Sequence, residues 1–385
     1  MIEELLADPV LRTAAIVARP DDDPRATVAR VAWGVIAEPG DGVAGALIAQ
    51  CGAESALQLA LAPDDGSLVS AELAEGRRRW TPRAELRSVR DALQGAREVG
   101  ARLLLPGDEN WPSGIDDLGA HAPVLLWARG DIDTLAAPSR VAIVGARAAT
   151  AYGDTVAADL AGDLAAGGTL IVSGGAYGID GSAHRAALGV GGATVAVLAG
   201  GVDRLYPAGH AQLFNRIMAA GVLLSEVPCG AAPTKWRFLA RNRSIAALGQ
   251  ATVVVEAGWR SGSLNTAGHA ASLGRPLGAV PGPVTSAASA GCHRLLREYD
   301  AQCVTTAAEV RELMGEPETG PVASFRADPD LVRVRDALSS RTPLAPVEIA
   351  RRSGLSIERV RALLGMLAIG GEAEASGAGW VRAKG

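Results

Sequence analysis

The sequence predicts an α/β protein whose centre is a doubly wound, mostly parallel sheet, with a small helical domain before it and a winged-helix domain after it. Three observations predict this. Between about residues 139 and 315, short near-continuous runs of Val, Ile, Leu and Ala alternate with helical patterns, as strands buried on both faces of a parallel sheet must. Glycines follow those runs, where such a sheet turns from strand to helix. Beyond a Pro/Gly-rich linker at 316–329, two helical stretches flank Gly354 and a Gly377-centred hairpin pattern follows.

Residues 1–100 read as a module of small helices, of helix-hairpin-helix or sterile-alpha-motif-like type. An apolar stretch at 26–37 runs into the turn signal Glu38-Pro39-Gly40-Asp41-Gly42, and helical spacing resumes at 43–50 and 55–61. Residues 84–99 read as a charged, exposed helix. Such a module either touches DNA backbone or serves as a plain accessory domain. Residues 101–138 form a connector with short strands at 103–105 and 124–127, and 101–315 together make the central domain. Within it, strands are expected at 140–145, 169–173, 193–199, 222–226, 251–256 and 277–280. The intervening helices are expected at 153–166, 178–188, 209–220, 237–248 and 262–273, with a last one at 292–298. The tail, 330–385, carries helices at 331–338, 347–353 and 357–369 and a wing at 371–381. From Leu331 onward it holds nine basic residues against five acidic ones, Arg341 and Lys384 among the nine. Modules of this type bind DNA or act as dimerisation and docking units.

Composition narrows the function classes. Apolar residues make up 48% and charged residues 21%, so the chain is not of disordered composition. No apolar run approaches the roughly 18 residues that a membrane span needs. The start, Met1-Ile2-Glu3-Glu4, lacks a signal-peptide layout, and a cytoplasmic protein is expected. Cys51, Cys229, Cys292 and Cys303 show no metal-ligand spacing and are read as reduced, mostly buried thiols. A net charge of −5 argues against a uniformly basic coat but leaves room for a local basic groove. Lysine occurs only at 235 and 384, against 35 arginines, which makes Lys235 conspicuous inside the central domain.

Ligands of an open parallel sheet bind beyond the carboxyl ends of its strands. The unusual residues fall there: Gly145-Ala146-Arg147, Ser173-Gly174-Gly175-Ala176-Tyr177-Gly178-Ile179-Asp180, Gly200-Gly201, the run from Glu256 to Ser263, and Pro281-Gly282-Pro283. The first turn lacks the dinucleotide G-x-G-x-x-G pattern and no phosphate-loop pattern occurs, so neither a nicotinamide enzyme nor an ATPase of those types is expected. The run from Lys235 to Arg243 holds four cations and no acid, with Trp236 and Phe238 interleaved. Cations beside rings suit single-stranded nucleic acid, whose phosphates pair with Lys and Arg and whose bases stack. The alternative is a solvated helix start with both rings in the core. Ser261-Gly262-Ser263 either holds a phosphate or simply caps a helix. Asp180 and His184 share a helix face, as an acid/base pair or as a helix-start acid bonded to a structural histidine. Asp203, Tyr206 and His210 are read as loop architecture, and Glu226 and Glu256 as carboxylates that fix nearby arginines.

Taken in order, 144–147, 173–180 with His184, the Asp203-Arg204-x-Tyr206-Pro207 run, Arg241-Asn242-Arg243, 260–264 with Thr266-Ala267, 281–283 and Gly291-Cys292 resemble the motif set of the DNA-processing protein A (DprA/Smf) family. The resemblance is strong over about 100–315 and looser outside it. It implies a Rossmann-like central domain and a homodimer formed through it. It also implies a non-enzymatic protein without cofactor that binds single-stranded DNA and loads the RecA recombinase during natural transformation. Carried over by motif, Arg147 and Lys235 hold phosphates and Phe238 meets a base, while Gly145, Ser173, Gly174, Gly175, Ser261, Gly262 and Ser263 line the groove. Arg241, Asn242 and Arg243 contact DNA or brace it. Ala146, Tyr177 and His293 depart from the family's usual Thr or Ser, Arg and Asn, and Tyr177 is expected to stack on a base in place of the missing cation. A nucleotide-processing enzyme of phosphoribohydrolase type and a ligand-sensing transcription regulator remain as rival functions.

Overall fold

The computed structural model describes residues 2–62, 70–316, 329–340, 342–369, 372–377 and 379–383. Most of the expected linker, together with Arg341 and Lys384, therefore lies outside the described residues. Two compact units are present, Met1–Glu318 and Thr319–Gly385.

The first unit is built on one sheet. Its strands are β1 (Arg102–Leu104), β2 (Leu126–Gly130), β3 (Arg140–Val144), β4 (Leu170–Ser173), β5 (Thr194–Val197), β6 (Val222–Ser225), β7 (Ala251–Val254), β8 (Leu277–Ala279) and β9 (Gln302–Cys303). They lie in the order β1-β2-β6-β5-β4-β3-β7-β8-β9. The seven strands from β6 to β9 pair in parallel, and β2 and β1 extend the β6 edge antiparallel. Chain order runs outward from β3 in both directions, so the topological switch point lies between β3 and β7, where a crevice opens beyond the strand ends.

Alternation along β3 explains the layers. Val141 and Ile143 join a core with helices Ala151–Ala166 and Ile179–Gly189. Ala142 and Val144 join the opposite core with helices Lys235–Leu248, Ser263–Ser272 and Ala290–Glu298. Helix starts follow local chemistry: the side chains of Asp23, Asp41, Thr150 and Thr234 accept from first-turn amides.

The front helices share a third core with the sheet. Trp33 and Trp80 meet edge-on at 5.1 Å and belong to the same buried cluster as Leu103, Leu125, Trp127 and Phe214. Arg19 adds a two-pronged bond to Asp108, at 2.6 and 2.7 Å. The change of architecture near residue 100 thus falls inside one compact unit. Helix Leu86–Glu98 is not wholly exposed as expected: Val89, Ala92, Leu93 and Ala96 are buried, and only its other face is charged.

In the second unit, helices Pro329–Ala337, Pro346–Ser353 and Ile357–Ile369 precede the antiparallel pair β10 (Ala373–Ser376) and β11 (Gly379–Arg382). Val334, Ile349, Val360, Leu363 and Leu364 form its core, and Gly354 adopts φ +72° between the second and third helices.

Candidate nucleic-acid interface

A cleft of about 560 Å³ opens at the switch point. Gly145, Ala146 and Arg147 from the β3 turn line it, with Ala176 and Asp180 from the β4 turn. Phe238, Arg241 and Asn242 come from the helix after β6, and Arg260 to Ser263 from the β7 turn. Four chain segments distant in sequence therefore meet at one rim because the sheet is wound both ways from β3.

Arg147 and Phe238 meet directly. The Arg147 guanidinium carbon lies 4.8 Å from the Phe238 ring centroid, and that of Arg241 lies 5.9 Å away. Arg147 is exposed and Phe238 half-buried, so the alternative of a core-packed Phe238 does not hold. Lys235 opens the same helix three residues earlier, is exposed, and shares that face, although it is not among the residues lining the cleft. Trp236 is also outside the core, with 76% of its surface exposed. Two residues before Phe238 on a helix, it faces the other way, so the interleaved pair of rings does not act as one platform.

The arginines divide into groove and brace. Arg241 is buried and donates to Gly174 O at 2.7 Å and to Val197 O. Burial, aided by neighbouring Arg147, pulls its pKa down to about 10, so it is still a cation at neutral pH. A Cβ on Gly174 would sit 2.5 Å from the Arg241 guanidinium, so this glycine makes room for a protein side chain. Arg243 is likewise buried and pairs with Glu226 at 2.5 and 2.6 Å, while its Nε donates to His121 O at 2.9 Å. It does not line the cleft.

Further expectations need correction. The Ser173–Gly175 turn does not line the groove: the Ser173 hydroxyl is buried and donates to Ile143 O at 2.6 Å, and Gly175 lies against Phe214. Tyr177 stands outside the cleft lining, half exposed, edge-on to the His210 ring at 4.8 Å. Glu226 fixes an arginine, but Glu256 instead accepts from Thr150 N at 2.9 Å and Thr150 Oγ1 at 2.7 Å, anchoring the end of the Arg147 turn. Asn242 braces the β7 turn, its Nδ2 donating to Asn265 Oδ1 at 3.2 Å and Gly262 O at 3.4 Å. The Ser261 and Ser263 hydroxyls share a 2.8 Å hydrogen bond at the start of their helix.

Asp180 and His184 do not bond each other. Asp180 accepts from Gly174 N at 3.1 Å and Ala176 N at 3.4 Å, and burial pushes its carboxyl up despite Arg241 nearby. His184 Nδ1 donates to Thr194 Oγ1 at 2.7 Å, and Thr194 in turn donates to Ile171 O. Its ring is fully buried, which pulls its pKa down to about 3. Because the folded pKa is depressed below the ordinary 6.5, neutral His184 contributes stability that is whole above pH 6.5 and is lost as pH falls toward 3. Its share of that loss should reach about 2 kcal/mol by pH 5. Denaturant unfolding of wild type and His184→Gln at pH 7.5 and 5 measures it; equal pH slopes for the two proteins would exclude the effect.

Two residues carry more than their sequence context signals. Arg260 lines the cleft, whereas the sequence marks it only as one member of the run from Glu256 to Ser263 and by its place ahead of Ser261 in the family motif. Tyr206, expected as loop architecture, stands 5.7 Å from the Phe238 ring. Among the described residues no cluster of His, Cys, Asp and Glu has the arrangement of a metal site. Cys229 and Cys292 are buried, Cys51 half-buried and Cys303 exposed, and burial pushes the first two thiols up to about 12.

A cleft lined by arginines and an aromatic ring thus lies at the switch point of a Rossmann-like sheet, the place where such folds bind their ligands. The profile of the DNA recombination-mediator protein A family matches residues 102–315, and the chain belongs to that family, DprA/Smf. It is similar to the putative DNA processing protein DprA of Mycobacterium tuberculosis, with 47% identity over 318 residues that cover 77% of this chain and 81% of the relative. The DprA of Bacillus subtilis is 35% identical over 224 residues, covering 58% of this chain and 75% of the relative. Among solved structures, DNA processing protein A of Streptococcus pneumoniae is 30% identical with a TM-score of 0.59, covering 77% of this chain and 98% of its own. The Helicobacter pylori protein, described for its single-stranded DNA binding mode, is 32% identical with a TM-score of 0.50, covering 55% of this chain and 94% of its own.

Proposed function

We propose that this protein binds single-stranded DNA in the switch-point cleft and passes the strand to the RecA recombinase during natural transformation and homologous recombination. The observation that carries the reading is the Arg147–Phe238 pair at 4.8 Å, with the Arg241 cation 5.9 Å from the same ring. A phosphate-binding cation and a stacking surface at one point are what an unpaired polynucleotide requires. Arg147, Lys235 and Arg260 supply phosphate contacts, and Phe238 a base contact. The Ser261–Ser263 turn, where Gly262 faces open space, lets the strand's backbone approach, and Gly145 makes room for Ile179 behind the β3 turn. Arg241, Asn242 and Arg243 hold the walls, and so do Ser173, Gly174 and Gly175. The relatives' DNA-processing names and the Helicobacter pylori structure support the strand-binding part. RecA delivery, a homodimer through the Rossmann-like domain and a winged-helix role for the second unit rest on the family resemblance.

The protein is read as a non-enzymatic, cytoplasmic mediator. Among the described residues lining the cleft, Asp180 is the one carboxylate, and it is occupied by backbone amides. Paired carboxylates for acid/base work on a nucleotide are thus not assembled there. Among the described residues, no helix is long and apolar enough to cross a membrane.

Titration of labelled oligo-dT at several salt concentrations tests the reading. Wild type should lose affinity linearly in log salt, because phosphate contacts release counterions. Arg147→Ala and Lys235→Ala should each bind about tenfold more weakly, with the slope shallower by about 0.7 for each phosphate that is no longer neutralised. Binding without salt dependence, clear preference for duplex, or release of base from nucleoside monophosphates would each turn the reading toward a rival function.

A further inference from the structure

Three large rings stand exposed beyond the carboxyl ends of the parallel strands: Tyr206 after β5 at 52%, Tyr177 after β4 at 49%, and Trp259 after β7 at 59%. A lone exposed ring needs no explanation, but these three follow strands that stand together in the order β5-β4-β3-β7. Each is held in place. Tyr206 tilts against Phe238 at 5.7 Å, and Tyr177 stands edge-on to buried His210 at 4.8 Å. Trp259 has the Arg294 guanidinium 5.2 Å from its ring centroid, and Arg294 is itself fixed by Glu298 at 2.7 Å. Trp259 sits in sequence between Gly258 and Arg260, which both line the cleft.

Resting on the single-strand reading, we infer that the bound strand crosses the sheet ends from β5 to β7, with its bases stacked on Tyr206 and Phe238 at one end and on Trp259 at the other. The order β5-β4-β3-β7 places three strand spacings between those ends, roughly 14 Å at about 4.8 Å each. At about 3.4 Å per stacked nucleotide, that span takes roughly four nucleotides. Arg147 lies at mid-span, after β3, where it neutralises the backbone, and Tyr177 flanks the path after β4. Trp236, on the far side of its helix from Phe238, is outside this row.

The test uses the full chain, with a thymidylate tetramer, a dodecamer and a dodecamer carrying abasic sites throughout. Tyr206→Ala and Trp259→Ala should each weaken dodecamer binding about 5- to 150-fold, the range expected when one stacking surface is removed. Their salt slopes should match wild type, because every phosphate-binding cation is kept. On the abasic strand the variants and wild type should bind alike, and Trp259→Phe should restore most of the dodecamer affinity. If both Ala variants bind the dodecamer as wild type does while Arg147→Ala is weakened, the row of rings is wrong and the cleft stands. If wild type binds no oligonucleotide, the cleft reading itself falls. A changed oligomeric state in Trp259→Ala with unchanged DNA affinity would assign that ring to a second copy of the chain and overturn the inference.

Discussion

Glu226→Ala should lower the unfolding free energy by about 3–5 kcal/mol. Glu226 and Arg243 face each other with side chains only 8% and 6% exposed. Both guanidinium ends are engaged, at 2.5 and 2.6 Å, and Ser244 Oγ donates to the same carboxylate at 2.7 Å. Assembling such a pair from water has little net benefit, since desolvation opposes the attraction. Removing one partner is another matter, because the guanidinium stays buried beside carbonyl oxygens that cannot neutralise it. Guanidinium chloride unfolding measures the loss. Arg243→Met combined with Glu226→Leu should recover most of it, since no unpaired charge then remains. A loss below about 1 kcal/mol for Glu226→Ala would show that the site relaxes to admit water. The effect should also reach DNA binding. Arg243 Nε donates to His121 O and so pins the helix that carries Phe238 and Arg241 to the connector before β2.

That pair also shows where sequence stops being informative. Arg241 and Arg243 are two residues apart in one basic run, and nothing in their spacing says that both are buried or that they brace different walls. Their fates depend on tertiary partners: Gly174 and Val197 for one, Glu226 and His121 for the other. Arg147 and Phe238 are legible because they sit at a strand end and a helix start, which the alternation of apolar runs places on one rim. The same alternation reveals the parallel strands from β3 to β8. It does not reveal β9, two exposed residues without an apolar run, nor that β1 and β2 join the β6 edge antiparallel. Helix Pro9–Ala18 leaves a short trace, since Asp8 and Pro9 form a cap and a first-turn proline and its buried Leu11 and Ala15 stand four apart, a pattern too brief to stand out beside the longer apolar runs. The Ser173-Gly174-Gly175 run reads as space for a ligand, whereas Arg241 fills that space from within. Small residues at a strand end signal close approach, but not by what.

Gly178→Ala should cost about 3 kcal/mol or more of stability and should weaken single-stranded DNA binding well beyond what that loss explains. Gly178 holds φ +71° and ψ −131°, a region that side-chain-bearing residues enter at a cost of about 1–3 kcal/mol. Space is the second obstacle. A Cβ there would fall inside the contact distance of Ala146 O and 2.6 Å from Arg147 O, both backbone atoms of the turn that presents Arg147. Ile179 N donates to Ala146 O at 3.2 Å, so the β4 turn and the β3 turn are locked together at this point. The other end of the β3 turn is fixed by Thr150 to Glu256, which leaves it little freedom to retreat. The clash must therefore push the turn outward and carry Arg147 off the Phe238 ring. A surface glycine such as Gly268, whose added Cβ meets nothing within 4 Å, is the control, and its Ala variant should bind DNA as wild type does. Unfolding and oligo-dT titration on the same samples separate the two effects. If Gly178→Ala is destabilised yet binds oligo-dT with wild-type affinity and salt slope, then Arg147 does not need this turn, and the cleft is not the surface on which the strand is held.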